Sequence, residues 1–240
     1  MIYELAWIVA TIALTTILIC AVRHIGKDGF GPLFGGSLVI ATVVAGKLGD
    51  IGGVAISASV AIYSITFLIT DVASEIYGKR FARNLVWATA LLYPLIIVTA
   101  QFAIHWPPSR FYQDQEGFAA VLGTATRVTV ASFLAFLASQ TFDVAAFHKI
   151  KDWTNGTKLW LRNCGSTAGS QLIDTVIFYT VAFAGALPMA DLIRLIVLTY
   201  ALKFVILILD TPGVYIAVAY FKRRPGGSKG LPHPAASEEG

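Results

Sequence analysis

The sequence predicts an all-α protein, a polytopic membrane helix bundle, and three observations carry that reading. Of 240 residues, 56% are hydrophobic and only 13% are charged, about half the charge content of a soluble domain. Apolar runs of about 20 residues, long enough to cross a hydrocarbon core, recur along the whole chain. Lys and Arg gather in alternate connections between those runs, the pattern of membrane helices whose basic loops face the cytoplasm. The bilayer is therefore the surrounding partner. A net charge of +4, gathered at one side of the membrane, points to no nucleic-acid partner.

The first helix is expected from Ile2 to Val22, ending at the charged turn Arg23-His24-Ile25-Gly26-Lys27. No basic segment precedes it, so a retained helix is expected rather than a cleaved signal. A second runs from Pro32, which suits a first turn, to Ala45. Gly52-Gly53 then leads into a third, Val54 to Tyr77, closed by Gly78-Lys79-Arg80. The fourth, Leu85 to Ile104, stops before Trp106-Pro107-Pro108, which cannot continue a helix. The fifth, Phe118 to Phe147, is longer than one crossing needs. A polar loop with Trp153 and Trp160 as interfacial anchors precedes the sixth, Ser166 to Leu187, with Ser166 as its cap. The last spans Leu192 to Phe221, where Asp210-Thr211-Pro212-Gly213 predicts a kink. It crosses once or forms a hairpin. From Pro225 onward the Pro/Gly/Ser-rich chain reads as a disordered tail.

Arg23 and Lys27, then Lys79, Arg80 and Arg83, then Lys149, Lys151, Lys158 and Arg162, then Lys222, Arg223, Arg224 and Lys229 occupy alternate connections. The N-terminus is therefore expected outside and the C-terminus in the cytoplasm, with seven crossings.

One polar signature occurs twice in these apolar helices: Ser139-Gln140-Thr141-Phe142-Asp143 and Ser170-Gln171-Leu172-Ile173-Asp174, with Phe147 and Phe178 four residues beyond. Residues three and four apart share a helix face, so each copy presents its hydroxyl and its carboxylate together, with the amide beside them. Buried carboxylates are an expensive form of helix–helix glue, so Gln140, Asp143, Gln171 and Asp174 are ligand candidates. Ser139 and Ser170 read equally well as packing hydrogen bonds. Asp71 and Glu75 are i,i+4 on the third helix, with Tyr63, Ser64 and Phe67 near the same face. Asp71 is the deeper and the better ligand candidate. Glu75 could instead pair with Lys79 or Arg83. Arg127 and Lys203 are buried cations with a structural or coupling role, each expected to meet a carboxylate from another helix.

No cofactor or metal is expected, because the four histidines are scattered and loop-borne. Cys20 and Cys164 make neither a disulfide framework nor a ligand set. No nucleophile–base set marks an enzyme.

The run Thr70-Asp71 to Glu75-Ile76-Tyr77-Gly78 with Ala82-Arg83 resembles the YhhQ/VUT family of queuosine precursor transporters. So do Ala131-Ser132-Phe133 with Ser139-Gln140 and Asp143. Arg162-Asn163, Gly165-Ser166-Thr167 and Ser170-Gln171-Leu172-Ile173-Asp174-Thr175 form a third matching motif, and Ala45-Gly46-Lys47 looks like a fourth. Cys164 departs from the pattern, where a second polar residue is expected. The resemblance covers about residues 32–222. It implies a six-helix transport core similar to the substrate-binding subunits of energy-coupling-factor vitamin transporters. Residues 1–31 would be an added N-terminal helix, and residues 223–240 a cytoplasmic tail. It also implies a bacterial inner-membrane importer of 7-cyano-7-deazaguanine or 7-aminomethyl-7-deazaguanine. Its motifs add Lys47 and Asn163 to the binding candidates, and an aromatic such as Phe67, Tyr63 or Phe178 would stack on the base. A secondary transporter is the first reading and a binding subunit of an ATP-driven system the second. A homodimer is left open.

Overall fold

The computed structural model describes residues 2–223 apart from 46, 52–53, 123–125 and 186. The expected tail therefore lies outside the described residues, except for Arg223. Helix α1 (Ile2–Ile25) leads through a 3-10 turn at Lys27–Gly29 into α2 (Phe30–Val44). Strands β1 (Leu48–Ile51) and β2 (Val54–Ser57) follow, then α3 (Ser59–Tyr77), α4 (Lys79–Ala90), α5 (Leu92–His105) and α6 (Gln115–Leu122). The chain closes with α7 (Thr126–Trp153), α8 (Leu159–Phe183) and α9 (Met189–Lys222). The helical bundle expected from composition is present. Among the described residues five helical stretches are long and apolar enough to cross a membrane: Ala6–Ile25, Ser59–Tyr77, Lys79–His105, Val130–Trp153 and Met189–Lys222. Helix α2 has only 15 residues, and α8 carries a long buried polar stripe.

Three expectations are corrected. Residues 54–57 are not helical. They pair with residues 48–51 as an antiparallel hairpin, Leu48 opposite Ser57 and Ile51 opposite Val54. In the sequence Gly52-Gly53 joins the two strands, the residue types a tight hairpin connection selects. The loop expected at 148–163 shrinks to Thr154–Lys158, because α7 runs on to Trp153 and α8 starts at Leu159. Ser166 thus lies inside α8 and caps nothing. The long fifth segment contains α6 and α7, and residues 123–125 between them lie outside the described residues. The last segment, left open between one crossing and a hairpin, is one helix through Pro212.

Helix α3 is the centre of the bundle. Every residue from Ser64 to Ser74 is buried, so this helix has no lipid-facing side over three turns. Gly78 ends it with φ 85°, a conformation glycine adopts without a Cβ penalty, and α4 begins at the next residue. Phe34 and Leu38 of α2, Leu68 and Val72 of α3, Phe136 of α7 and Val214 of α9 share one core. Ile8 and Ile12 of α1 pack in a second cluster with Ile65 and Ile206. Arg23 donates to the carbonyls of Tyr220 and Arg223, which satisfies acceptors freed at the C-terminus of α9. Helices α7 and α8 form the most extensive pair in the bundle.

Gly213 lets α9 approach α1: a Cβ there would sit 2.6 Å from Thr16 Oγ1 and 3.2 Å from Leu68 Cδ1. Gly213→Val should therefore destabilise the bundle by about 1–3 kcal/mol through overpacking, read as a lower melting temperature in detergent. Gly31→Ala, where the added carbon meets nothing within 4 Å, should leave it unchanged or slightly raised.

Candidate functional site

The doubled signature folds into a reciprocal contact. Ser139 Oγ of the first copy donates to Asp174 Oδ1 of the second at 3.4 Å, and Ser170 Oγ donates to Asp143 Oδ1 at 2.9 Å. Each serine lies four residues before the aspartate of its own copy, so in an antiparallel pair it meets the aspartate of the other copy. The two carboxylates end about one helical turn apart along the axis, and their surroundings differ.

Asp174 borders a cavity of about 370 Å³, in the usual size range for small-molecule sites. Lys203 Nζ of α9 donates to its Oδ2 at 2.5 Å, and Tyr63 Oη of α3 donates to its Oδ1 at 2.7 Å. The ammonium also lies 5.4 Å from the Tyr63 ring centre. Phe178, Tyr179, Phe183 and Tyr93 supply aromatic wall, and Ser132, Thr175 and Thr199 supply hydroxyls. Phe178 packs edge-on against Tyr179 at 5.2 Å. Ala45, Ser57 and Ser59 also line the cavity, which puts it toward the hairpin end of the bundle. The site thus offers an acceptor and a donor side by side at the foot of an aromatic slot. Lys203 finds a carboxylate on another helix, as expected.

Tyr63, Asp174, Phe178 and Lys203 are the sequence candidates that line the cavity; the other described candidates lie elsewhere. Gln140 bridges α7 to α3: its Nε2 donates to Thr66 Oγ1 at 3.0 Å, and its Oε1 accepts from Thr70 at 3.2 Å. Asp71 accepts from Thr167 at 3.0 Å, two turns below Tyr63 on α3. Gln171 is buried, with no partner for Oε1, and Asn163 is buried with no partner for either amide atom. Phe67 is buried against Tyr63, ring centres 6.2 Å apart. Lys47 is exposed beside the hairpin. The Arg127 side chain lies outside the described residues. Cys164 Sγ sits 3.5 Å from Thr211 Oγ1 and joins α8 to α9. Tyr93, Tyr179 and Thr199 had no signal of their own, because aromatic and hydroxyl residues are scattered along every apolar run here.

Glu75 does not pair with its own helix. Arg162 of α8 (2.8 Å), Lys222 of α9 (2.7 Å) and Lys151 of α7 (3.0 Å) surround it. One carboxylate therefore ties four helices together at the basic end, opposite the cavity. The expected partners Lys79 and Arg83 are exposed; Glu75, at the end of its helix, is reached first by the helices packed around α3.

The chain is thus an apolar helix bundle of the kind that crosses a membrane, with a polar-footed cavity of small-molecule size. Residues 57–217 match the family model described as "Putative vitamin uptake transporter", and the chain belongs to that family. It is 32% identical over 212 residues to the "Probable queuosine precursor transporter" of Bacillus subtilis, covering 88% of this chain and 93% of that protein. It is 27% identical over 125 residues to the "Queuosine precursor transporter" of Escherichia coli, covering 50% of this chain and 52% of the other. No solved structure gives a significant match.

Arg162 is 2% exposed, so Glu75→Ala strands a buried charge. A loss of about 3–5 kcal/mol is expected, read as a fall in the melting temperature of the purified protein. Lys222→Ala removes a largely exposed partner and should cost less than about 1 kcal/mol.

Proposed function

We propose that the protein is a secondary transporter that imports queuosine precursors, 7-cyano-7-deazaguanine or 7-aminomethyl-7-deazaguanine, across the bacterial inner membrane. The observation that carries this is the Asp174–Lys203 pair at the foot of the aromatic cavity. A deazaguanine has a ring N–H and an exocyclic amine on one edge, with a carbonyl beside them. Asp174 accepts from the two N–H groups, and the Lys203 ammonium donates to the carbonyl. Phe178 stacks on a ring face, and Tyr179, nearly perpendicular to it, meets the ring edge. The Asp174 and Lys203 charges neutralise each other, which suits the uncharged ring edge that both precursors present. The cyano and aminomethyl forms share this edge, so these contacts accept both. The names of the relatives support the substrate class, and the basic connections support a cytoplasmic C-terminus with the cavity toward the outside.

Purified protein in liposomes, without ATP or any other subunit, is expected to take up the labelled precursors. Binding that is retained without any transport would favour the alternative reading, a binding subunit of an ATP-driven energy-coupling-factor system. Asp174→Asn and Lys203→Met should each weaken precursor binding by about 2–5 kcal/mol, thirtyfold or more in Kd, at unchanged protein level. Normal uptake in both variants would remove the cavity from the mechanism.

A further inference from the structure

The buried carboxylates fall into two groups. Asp174 and Glu75 have cations, Lys203 for the first and Arg162, Lys151 and Lys222 for the second. Asp71, Asp143 and Asp210 are 1%, 0% and 2% exposed, and no cation bonds them among the described residues. Thr167 donates to Asp71 Oδ2 and Ser170 to Asp143 Oδ1, which leaves Asp71 Oδ1 and Asp143 Oδ2 without a donor. Their donors Thr167 and Ser170 lie one turn apart on α8, which sets the two carboxyls against the same helix face, and Asp210 interacts electrostatically with both.

Among the described residues, no element packed around them brings a compensating charge. From α8 come Ser166, Thr167 and Ser170, while Arg162 is turned to Glu75 and the Gly156 carbonyl. On α9 the one cation nearby, Lys203, is held by Asp174. Lys151 of α7 is held by Glu75, and His148 of α7 lies toward the same end. Helix α1 offers Thr15 and Thr16, and its Arg23 and His24 are bound at the end of α9. Helix α2 has no charged residue, and the cations of α4 (Lys79, Arg80 and Arg83) are exposed. A second observation stands apart from the acids. Asn163 is 1% exposed with both amide atoms unpartnered, one turn from Thr167 on the same α8 face and toward the Glu75 clamp. It supplies a polar step between the carboxyls and the basic end.

Facing carboxylates in a dehydrated core cannot all be ionised without a counter-charge. A proton held between Asp71 and Asp143 provides the donor both lack. We propose that Asp71 and Asp143, backed by Asp210, bind the proton that couples this transporter to the proton gradient. The proton is taken from the hairpin side and released unchanged at the basic end, so no other reactant is needed. Ser170, which holds Asp143, lies one turn from Asp174 on α8. A shift of α8 against α7 that opens or closes the cavity therefore alters the hold on the proton. This inference rests on the transport reading, and the experiment separates the two.

Infrared difference spectra of the purified protein in lipid, stepped through pH, are expected to show a protonated-carboxyl band at neutral pH that Asp71→Asn and Asp143→Asn each diminish. That readout needs no substrate. A neutral-pH spectrum with no protonated-carboxyl band would overturn the proposal, whatever the cargo. In liposomes at clamped zero potential, a one-unit gradient, acid on the side the cavity faces, should support about tenfold accumulation of 7-cyano-7-deazaguanine for one proton per substrate. Protonophore should abolish that accumulation. Asp143→Asn should lose the gradient-driven accumulation yet keep substrate exchange across the membrane at equal pH. Accumulation by the variant equal to that of the parent protein would also overturn it. If the parent protein moves neither precursor, the substrate reading fails and the infrared band alone decides the proton site.

Discussion

Burying a carboxylate away from water is unfavourable unless something donates to it, and this bundle is arranged around five such groups. Asp71 and Glu75 lie on α3, Asp143 on α7, Asp174 on α8 and Asp210 on α9. The helices pack so that each meets a donor, a cation or another carboxyl. The reciprocal Ser139–Asp174 and Ser170–Asp143 contacts set α7 against α8 in one register. A slip of one residue would rotate both aspartates off the interface, leaving each without its donor. Because that register is unique, the position of Asp174 relative to Tyr63 and Lys203 is unique as well.

The interior then reads as three levels. At the hairpin end a neutral ion pair closes the floor of an aromatic cavity. About a turn lower, the facing acids have no cation. At the basic end Glu75 gathers cations from three other helices. Helix α3 contributes to all three levels through Tyr63, Asp71 and Glu75, and its burial on every side holds them in line. The cavity thus lies opposite the clamp that joins the basic ends of α3, α7, α8 and α9.

Much of this was legible in the residues. The repeated Ser-Gln-x-x-Asp pattern marked the polar interface between α7 and α8, and Lys203 was read as needing a carboxylate from elsewhere. The hairpin was not seen, because Val54-Ala55-Ile56-Ser57 reads as readily as the start of an apolar helix as it does as a short strand. Nor was the partition of the candidates. Gln140 and Asp174 look alike in sequence, yet the first is satisfied by Thr66 and Thr70 while the second borders open space. For Glu75 the sequence offered a ligand role or pairing with the local cations Lys79 or Arg83, whereas the fold brings Arg162 and Lys222 from far along the chain.

By itself the sequence determined the environment, the helices and the presence of polar groups too costly to bury by accident, because those follow from composition and helical periodicity. Only the tertiary structure decided which group meets which. Partner choice depends on helix rotation and register, and these are settled by packing over the whole bundle: Gly213 against Thr16, α3 at the centre, and the two serines exchanged between α7 and α8.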